Sequence, residues 1–200
     1  MYLYGASGHG KVLLEVAQSQ GFEIKAFIDD FQSLTELHGL PVLKVIPEVS
    51  CDLAISIGNN QSRKEISEKF HEYHFPILIH ARSTISKSAS VNCGSVVMMA
   101  ASVNTGCVIG KFVIINTNAS VDHDCIIGDY VHISPGATIC GSVQISEGTH
   151  IGAGATLIPG VRIGKWCIIG AGSVILHDIP DFSVVVGVPG RVIRKSNMNE

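Results

Sequence analysis

From Ile85 to Ile175 every sixth residue is aliphatic, through sixteen positions in unbroken register (Ile85, Val91, Val97, Val103 and onward to Leu157, Ile163, Ile169 and Ile175). The residue two before each of these is small or modest in size, as at Ser83, Ala89, Ala101, Cys107, Ala119 and Cys125. Glycine follows the aliphatic at Gly110, Gly128, Gly152, Gly164 and Gly170. A period of six matches neither the helix nor the simple strand; it matches a short strand plus a turn, repeated. Side chains alternate across a strand, so the aliphatic and the small residue both point inward. Three such strands per 18-residue coil make a triangular prism filled by stacked aliphatic residues. Its coils are expected to stack about 4.8 Å apart through backbone ladders, as a solenoid.

This register explains an odd composition. The 200 residues are 46% hydrophobic and only 16% charged, with mean hydropathy +0.35; a typical soluble domain has about 25% charged residues. Yet no apolar run approaches the roughly 18 residues a spanning helix needs. Met1–Gly5 offers no basic leader and no apolar segment long enough for secretion. The expectation is a cytoplasmic protein without membrane insertion. A net charge of −3 with no basic stripe argues against nucleic acid as a partner. Residues 1–80 hold 16 charged residues and residues 85–175 only eight, whereas 13 of the 21 glycines lie in 85–175. Two units are therefore expected, 1–80 and 81–200. Outward positions of the second carry so little charge that contacts between copies are expected, and this half should not behave as a stable monomer.

Cys107, Cys125 and Cys167 occupy the small inward position, where cysteine acts as a buried hydrophobe. With no secretory signal, six cysteines do not read as a disulfide framework, and no CxxC pair suggests zinc.

The first unit reads as α/β. Met1–Gly5 is a strand, followed by Gly5-Ala-Ser-Gly8-His9-Gly10-Lys11 and a helix with Val12, Leu13, Val16 and Ala17 on one face, ended by Gly21. Strands are expected at 22–28, closing on Asp29-Asp30, and at 53–57, ending at Gly58-Asn59-Asn60. A helix over 61–72 and a strand over 76–79 complete a small parallel-sheet unit. A glycine-rich turn opening a helix offers backbone N–H groups to a phosphate. An acid closing the next strand is placed to accept from ribose hydroxyls. Gly8, His9, Gly10, Asp29, Asp30 and Gly58 are the candidate substrate-binding residues. The order G-x-x-G-x-G and the small size of the unit suit one nucleotide rather than NAD.

Such a Rossmann-like half-domain joined to hexapeptide repeats resembles the nucleotide-sugar N-acetyltransferases of bacterial glycan synthesis. The residues that carry the resemblance are Gly5-Ala-Ser-Gly-His-Gly10, Phe27-Ile-Asp-Asp30 and Ile57-Gly-Asn-Asn60. Further on come Val121-Asp-His-Asp-Cys125, His132-Ile-Ser-Pro-Gly136 and the tail Val186-Gly-Val-Pro189. Gly190 stands where that family commonly has Ala. The resemblance implies an α/β half-domain followed by a left-handed parallel β-helix, working as a homotrimer with active sites between subunits. It implies acetyl-CoA as co-substrate, no metal, and a nucleotide-linked amino sugar (a UDP-4-amino sugar) as acceptor.

The repeat draws attention independently to His123, which falls two after Val121 at a turn of the prism, between Asp122 and Asp124. Acetyl transfer from a thioester to an amine requires removal of a proton, and imidazole suits that task near neutral pH. The resemblance makes His123 the general base and Asp124 the acid that orients it, although several relatives have Glu in the second place. His132 and His150 share the outward strand position 18 apart and should stack on one face. The resemblance puts His132 at the thioester end of acetyl-CoA and the backbone amides of Ala153 and Ala171 along its pantetheine arm. Arg162, Lys165, Arg191 and Arg194 are basic candidates for its phosphates.

Two other functions fit parts of this pattern. An O-acetyltransferase acting on a sugar hydroxyl, of the sialic acid kind, could use His123 equally well; the glycine-rich turn and Asp29-Asp30 favour a nucleotide-linked acceptor. A zinc lyase of the γ-carbonic anhydrase kind needs three histidine ligands with a close pair, which 123, 132 and 150 do not reproduce.

Overall fold

The computed structural model describes residues 1–47 and 51–196; the last four residues of the 81–200 unit lie outside the described residues. The chain begins with β1 (Tyr2–Tyr4), α1 (Gly8–Ser19), β2 (Ala26–Ile28), β3 (Glu36–Leu37), β4 (Leu40–Leu43), β5 (Leu53–Ile55) and α2 (Asn60–Lys69). The strands form one sheet in the order β3-β4-β2-β1-β5. β1, β2, β4 and β5 run parallel, and β3 returns on β4 as a hairpin. The sequence reading lacks that hairpin. Its turn is His38-Gly39, both with positive φ (52° and 77°), the geometry a two-residue hairpin turn demands. On α1 the buried face is Leu13, Leu14, Val16 and Ala17, while Val12 is exposed, so Leu14 takes the place expected of Val12. Gly10 is required by packing: a Cβ there would lie 2.4 Å from the carbonyl oxygen of Gly5.

From residue 78 the chain winds as the register predicts, in two-residue strands six apart. Until the last coil each pairs in parallel with the strand 18 residues on, as Val103 with Val121 and Ile133 with Ile151. Three faces result. The first carries Leu78–Ile79, Val96–Val97, Ile114–Ile115, His132–Ile133, His150–Ile151 and Ile168–Ile169, then Ser183–Val186 with the antiparallel edge Arg191–Lys195. The second runs from Thr84–Ile85 to Val174–Ile175, and the third from Ser90–Val91 to Arg162–Ile163. Leu78–Ile79, expected as the last strand of the α/β sheet, instead opens the prism by pairing with Val96–Val97. The chain is thus an α/β half-domain followed by a β-helix.

The expected inward residues fill the prism: Val103, Ile109, Ile115, Val121 and their successors are at most 2% exposed up to Leu157, and the small residues between them are buried too. Burying each large aliphatic contributes about 1.5–3 kcal/mol. Ser95 and Thr149 sit at the small position without loss, because each hydroxyl bridges neighbouring coils. Ser95 Oγ donates to the Gly110 carbonyl (2.7 Å) and accepts from the Val113 amide (2.9 Å). Thr149 Oγ1 does the same between Gly164 and Cys167.

The α/β half-domain lies against the first face. Outward Val96 and Ile114, with Met98, join the cluster of Leu3, Leu13, Leu14 and Phe27. At the adjoining corner Phe112 meets Phe75 edge-on (4.9 Å) and stacks on Tyr130 (5.4 Å). Lys64 of α2 pairs with Glu147 of the prism at 2.6 Å.

Candidate active site

At the corner between the second and third faces, His123 stands half-exposed between its two aspartates. Asp124 takes a left-handed backbone (φ 59°), and its short carboxylate reaches the ring, with Oδ2 2.9 Å from Nδ1. A carboxylate at Nδ1 assigns the proton to that nitrogen and leaves the Nε2 lone pair free. Asp122 Oδ1 is fixed by the His123 amide (2.8 Å) and by Asn104 Nδ2 (2.9 Å), while its Oδ2 lies 4.0 Å from Nε2. The bond to Asp124, then the charge of Asp122, raises the His123 pKa above 6.5. One coil on, the site requires glycine: a Cβ on Gly141 would lie 2.5 Å from His123 Nε2. A groove of about 470 Å³, walled by the hydroxyls of Ser102, Ser120 and Thr138, opens beside Asp122 on the second face.

The other histidines lie in the seam between half-domain and prism. His132 is 8% exposed, with Nδ1 3.2 Å from the Gly58 carbonyl and Nε2 3.1 Å from Asn116 Nδ2. The first nitrogen donates to the carbonyl and the second accepts from the amide, so neither is free. Its ring lies 4.8 Å from that of His150, tilted by 44° rather than stacked flat, and 6.4 Å from that of His9. Burial foremost, then His150, Arg63 and His9, holds the His132 pKa down to about 2. Burial and Arg63 lower His9 to about 4 and lower His150 as well. All three rings are neutral at neutral pH. His9 Nε2 is buried without a hydrogen-bond partner, and His150 Nε2 lies 2.9 Å from Ser134 Oγ.

Arg63, which sequence reasoning missed, organises this seam. Its fully buried guanidinium donates to the carbonyls of Phe112 (2.8 Å), Ile57 and Gly58 (both 3.1 Å) and Tyr130 (2.8 Å), and to Asn60 Oδ1 (2.8 Å). Burial lowers its pKa to about 9, still charged at neutral pH. An arginine among the polar residues of α2 looks like any solvated side chain. Only the carbonyls that converge from the prism corner distinguish it.

Gly8, His9 and Gly10 open α1 as expected. Asp29 and Asp30, treated above as a pair, separate. Buried Asp29 accepts from three backbone amides, Ala6 (2.8 Å), Phe31 (3.0 Å) and Gln32 (2.9 Å), so its carboxylate shapes the loop. Exposed Asp30 accepts from the Tyr4 hydroxyl (3.0 Å) and faces a pocket of about 280 Å³ lined by Tyr4, Gly5, Ser7 and Ile57. Burial, then the bond to Asp30, pushes the Tyr4 hydroxyl up to about 12. Gly58 belongs to the seam instead, lining a cleft with Asn59, Asn60, His132, His150 and Trp166. Ala153 and Ala171 line a groove of about 450 Å³ with Ser134, Pro135, His150 and Ile168. Among the described residues their amides are donated to no other group. Arg191 and Arg194 share the edge strand beyond this groove, whereas Arg162 lies on the third face and Lys165 on the turn after it. Cys107, Cys125 and Cys167 are buried free thiols. Among the described residues no three His, Cys, Asp or Glu side chains gather in a way that could hold a metal ion.

Comparison with known proteins agrees with both halves of the chain. Residues 1–70 match the PglD N-terminal domain, and residues 106–141 and 142–177 each match the bacterial transferase hexapeptide (six repeats). The acetyltransferase domain of PglB from Neisseria gonorrhoeae FA1090, solved in complex with acetyl coenzyme A, is 40% identical. The match covers 96% of this chain and 98% of that one, with a TM-score of 0.89. Perosamine N-acetyltransferase from Caulobacter crescentus, solved as a histidine-to-asparagine mutant in complex with CoA and GDP-perosamine, is 32% identical over 97% of this chain and 96% of that one, with a TM-score of 0.92. UDP-N-acetylbacillosamine N-acetyltransferase of Bacillus subtilis (strain 168) is 38% identical over 109 residues, 48% of this chain. That match spans half the length of this curated relative.

Proposed function

This chain belongs to the hexapeptide-repeat sugar N-acetyltransferases that carry a PglD N-terminal domain, and from that premise we propose that it transfers the acetyl group of acetyl-CoA to the amine of a nucleotide-linked amino-deoxy sugar. A UDP-4-amino sugar of bacterial surface glycan or glycoprotein synthesis, acetylated in the cytoplasm, is the substrate we assign. The observation that carries the proposal is His123, with Nδ1 held by Asp124 at 2.9 Å and Nε2 open to an incoming amine. His123 Nε2 takes the proton as the amine nitrogen bonds to the thioester carbonyl carbon, and Asp124 stabilises the imidazolium. When the carbon–sulfur bond breaks, His123 returns that proton to the departing thiolate.

Residues 1–80 bind the sugar nucleotide in this reading, through the α1 N-terminus at Gly8, His9 and Gly10 and through Asp30, with Asp29 and Gly58 holding the loops. Residues 81–200 bind acetyl-CoA and carry the catalytic residues. Acetyl-CoA lies along the free amides of Ala153 and Ala171. His132, its nitrogens already engaged, supports the thioester end by packing against His150 rather than by exchanging protons. A homotrimer is supported by the separation of parts: the half-domain covers the first face, while His123 stands at the opposite corner, between the second and third. One copy's nucleotide lobe must therefore meet another copy's His123. Incubation with acetyl-CoA and UDP-, dTDP- and GDP-linked amino sugars, with free thiol monitored, tests the activity; turnover of one 4-amino sugar nucleotide by a species sedimenting as a trimer is expected. Acetylation of free sugar hydroxyls, with no amino-sugar nucleotide accepted, would overturn it.

A further inference from the structure

Two cavities flank the paired outward residues His150 and Ile168 on the first face. The groove of about 450 Å³ lies on the side of the residues that follow each strand, Gly152, Ala153, Gly170 and Ala171. The cleft, of about 280 Å³, lies on the side of those that precede it, Gly148, Trp166 and Cys167. His150 and Ile168 line both cavities, so their side chains form the ridge between them. That ridge is closed and fixed. The His150 and His132 ring centroids are 4.8 Å apart, which leaves no passage between the rings, and Ser134 Oγ lies 2.9 Å from His150 Nε2. Behind the ridge, Asn60 Nδ2 donates to the Gly148 carbonyl (3.0 Å) and Asn60 Oδ1 accepts from Arg63 (2.8 Å). Asn59 Oδ1 accepts from the Ser62 amide (2.9 Å). No Asp, Glu, Lys or Arg is among the described residues that line the cleft. Walls of indole, isoleucine and imidazole faces, with these side-chain amides engaged, suit a short uncharged chain. A pyranose would bring several hydroxyls to side chains that already have partners.

We propose that His150 sets the length of acyl group the donor can carry: its ring closes the groove against the cleft, admits acetyl and excludes longer chains. The inference rests on the reading that the donor lies along Ala153 and Ala171 with its thioester beside His132. A smaller side chain at position 150 joins the two cavities. A longer acyl chain can then cross the ridge to Trp166, the one tryptophan in the sequence. One methylene more or less in an apolar pocket changes selectivity by roughly 10–200-fold.

Thiol release from acetyl-, propionyl- and butyryl-CoA, with the amino-sugar nucleotide that wild type acetylates, tests this in wild type, His150→Ala and Ser134→Ala. Wild type should favour acetyl over propionyl by about tenfold or more in kcat/KM. His150→Ala should bring that ratio to within about threefold, whatever its absolute rate. Ser134→Ala, which only unties the ring, should move the ratio less and in the same direction. Trp166 fluorescence gives a second readout that needs no turnover. Butyryl-CoA should change it more than acetyl-CoA does in His150→Ala, and the two should act alike in wild type. Wild type using butyryl-CoA as fast as acetyl-CoA would overturn the assignment. So would a wild-type acyl preference in His150→Ala or, if that variant turns over no donor, fluorescence in it that ignores acyl length. A response of Trp166 to the amino-sugar nucleotide alone would give the cleft to the acceptor and overturn it too. No thiol release by wild type from any acyl-CoA with any amino-sugar nucleotide would overturn the proposed function itself, and this inference with it.

Discussion

The exposed corner at His123 and the buried seam at His132 use the same side chain for opposite purposes. At the corner two carboxylates flank a solvated imidazole and raise its pKa. In the seam three imidazoles share a dry space with an arginine that has no carboxylate partner among the described residues, and their pKa values fall. Both sites stand on the same repeat, at positions only nine residues apart. A histidine on this scaffold has its pKa raised or lowered according to what covers it. Here the half-domain covers the first face and leaves the corner between the other two faces open.

Removing the corner's imidazole should have the largest effect. His123→Ala is expected to lower kcat by about 10²–10⁴-fold, read as thiol release, with thermal stability retained because the ring is half-exposed. Wild-type turnover in that variant would remove the distinction between corner and seam. Gly141→Ala tests the corner more gently. Its new methyl would fall 2.5 Å from Nε2, too close for the ring to stay in place, and a shift of about 1 Å can cost on the order of 100-fold. Activity should fall while the melting temperature stays within about 2 °C.

The smallest effect sharpens the comparison through pH. His9 and His132, at about 4 and about 2 in the folded chain against 6.5 ordinarily, take up protons on unfolding. Their contribution to stability is complete above about pH 6.5 and is lost as pH falls below it. In the proposed mechanism activity depends instead on neutral His123, so it should rise with pH through a midpoint above 6.5. Melting temperature should therefore decline between about pH 7 and pH 5, and His132→Gln should flatten that decline while leaving the activity midpoint in place. A shifted activity midpoint in His132→Gln would show the two regions to be electrostatically coupled.

Much of this was legible in the residues. Sixteen aliphatics in register predict the prism, its inward residues and the placement of His123 at a turn, because a two-residue strand and its turn are local structures whose side-chain directions follow from alternation. The choice of Asp124 over Asp122 as the partner of His123 rests on the resemblance alone; the left-handed backbone at Asp124 is what brings its carboxylate to Nδ1. Less local features were not legible. Leu78–Ile79 has the same pattern in either sheet, and only its partner Val96–Val97 assigns it to the prism. Asp29 and Asp30 are identical acids until the loop's amides fold onto the first of them.

By itself, the sequence determined the repeat, the two-part organisation and the chemical character of the corner. Each of these depends on contacts within a coil or between coils 18 residues apart. The tertiary structure alone decided which face the half-domain covers, and with it the burial of Arg63, the neutrality of His132 and His150, and the separation of the pocket at Asp30 from His123. Those follow from burial and from carbonyls converging out of distant segments, and no spacing along the chain records either.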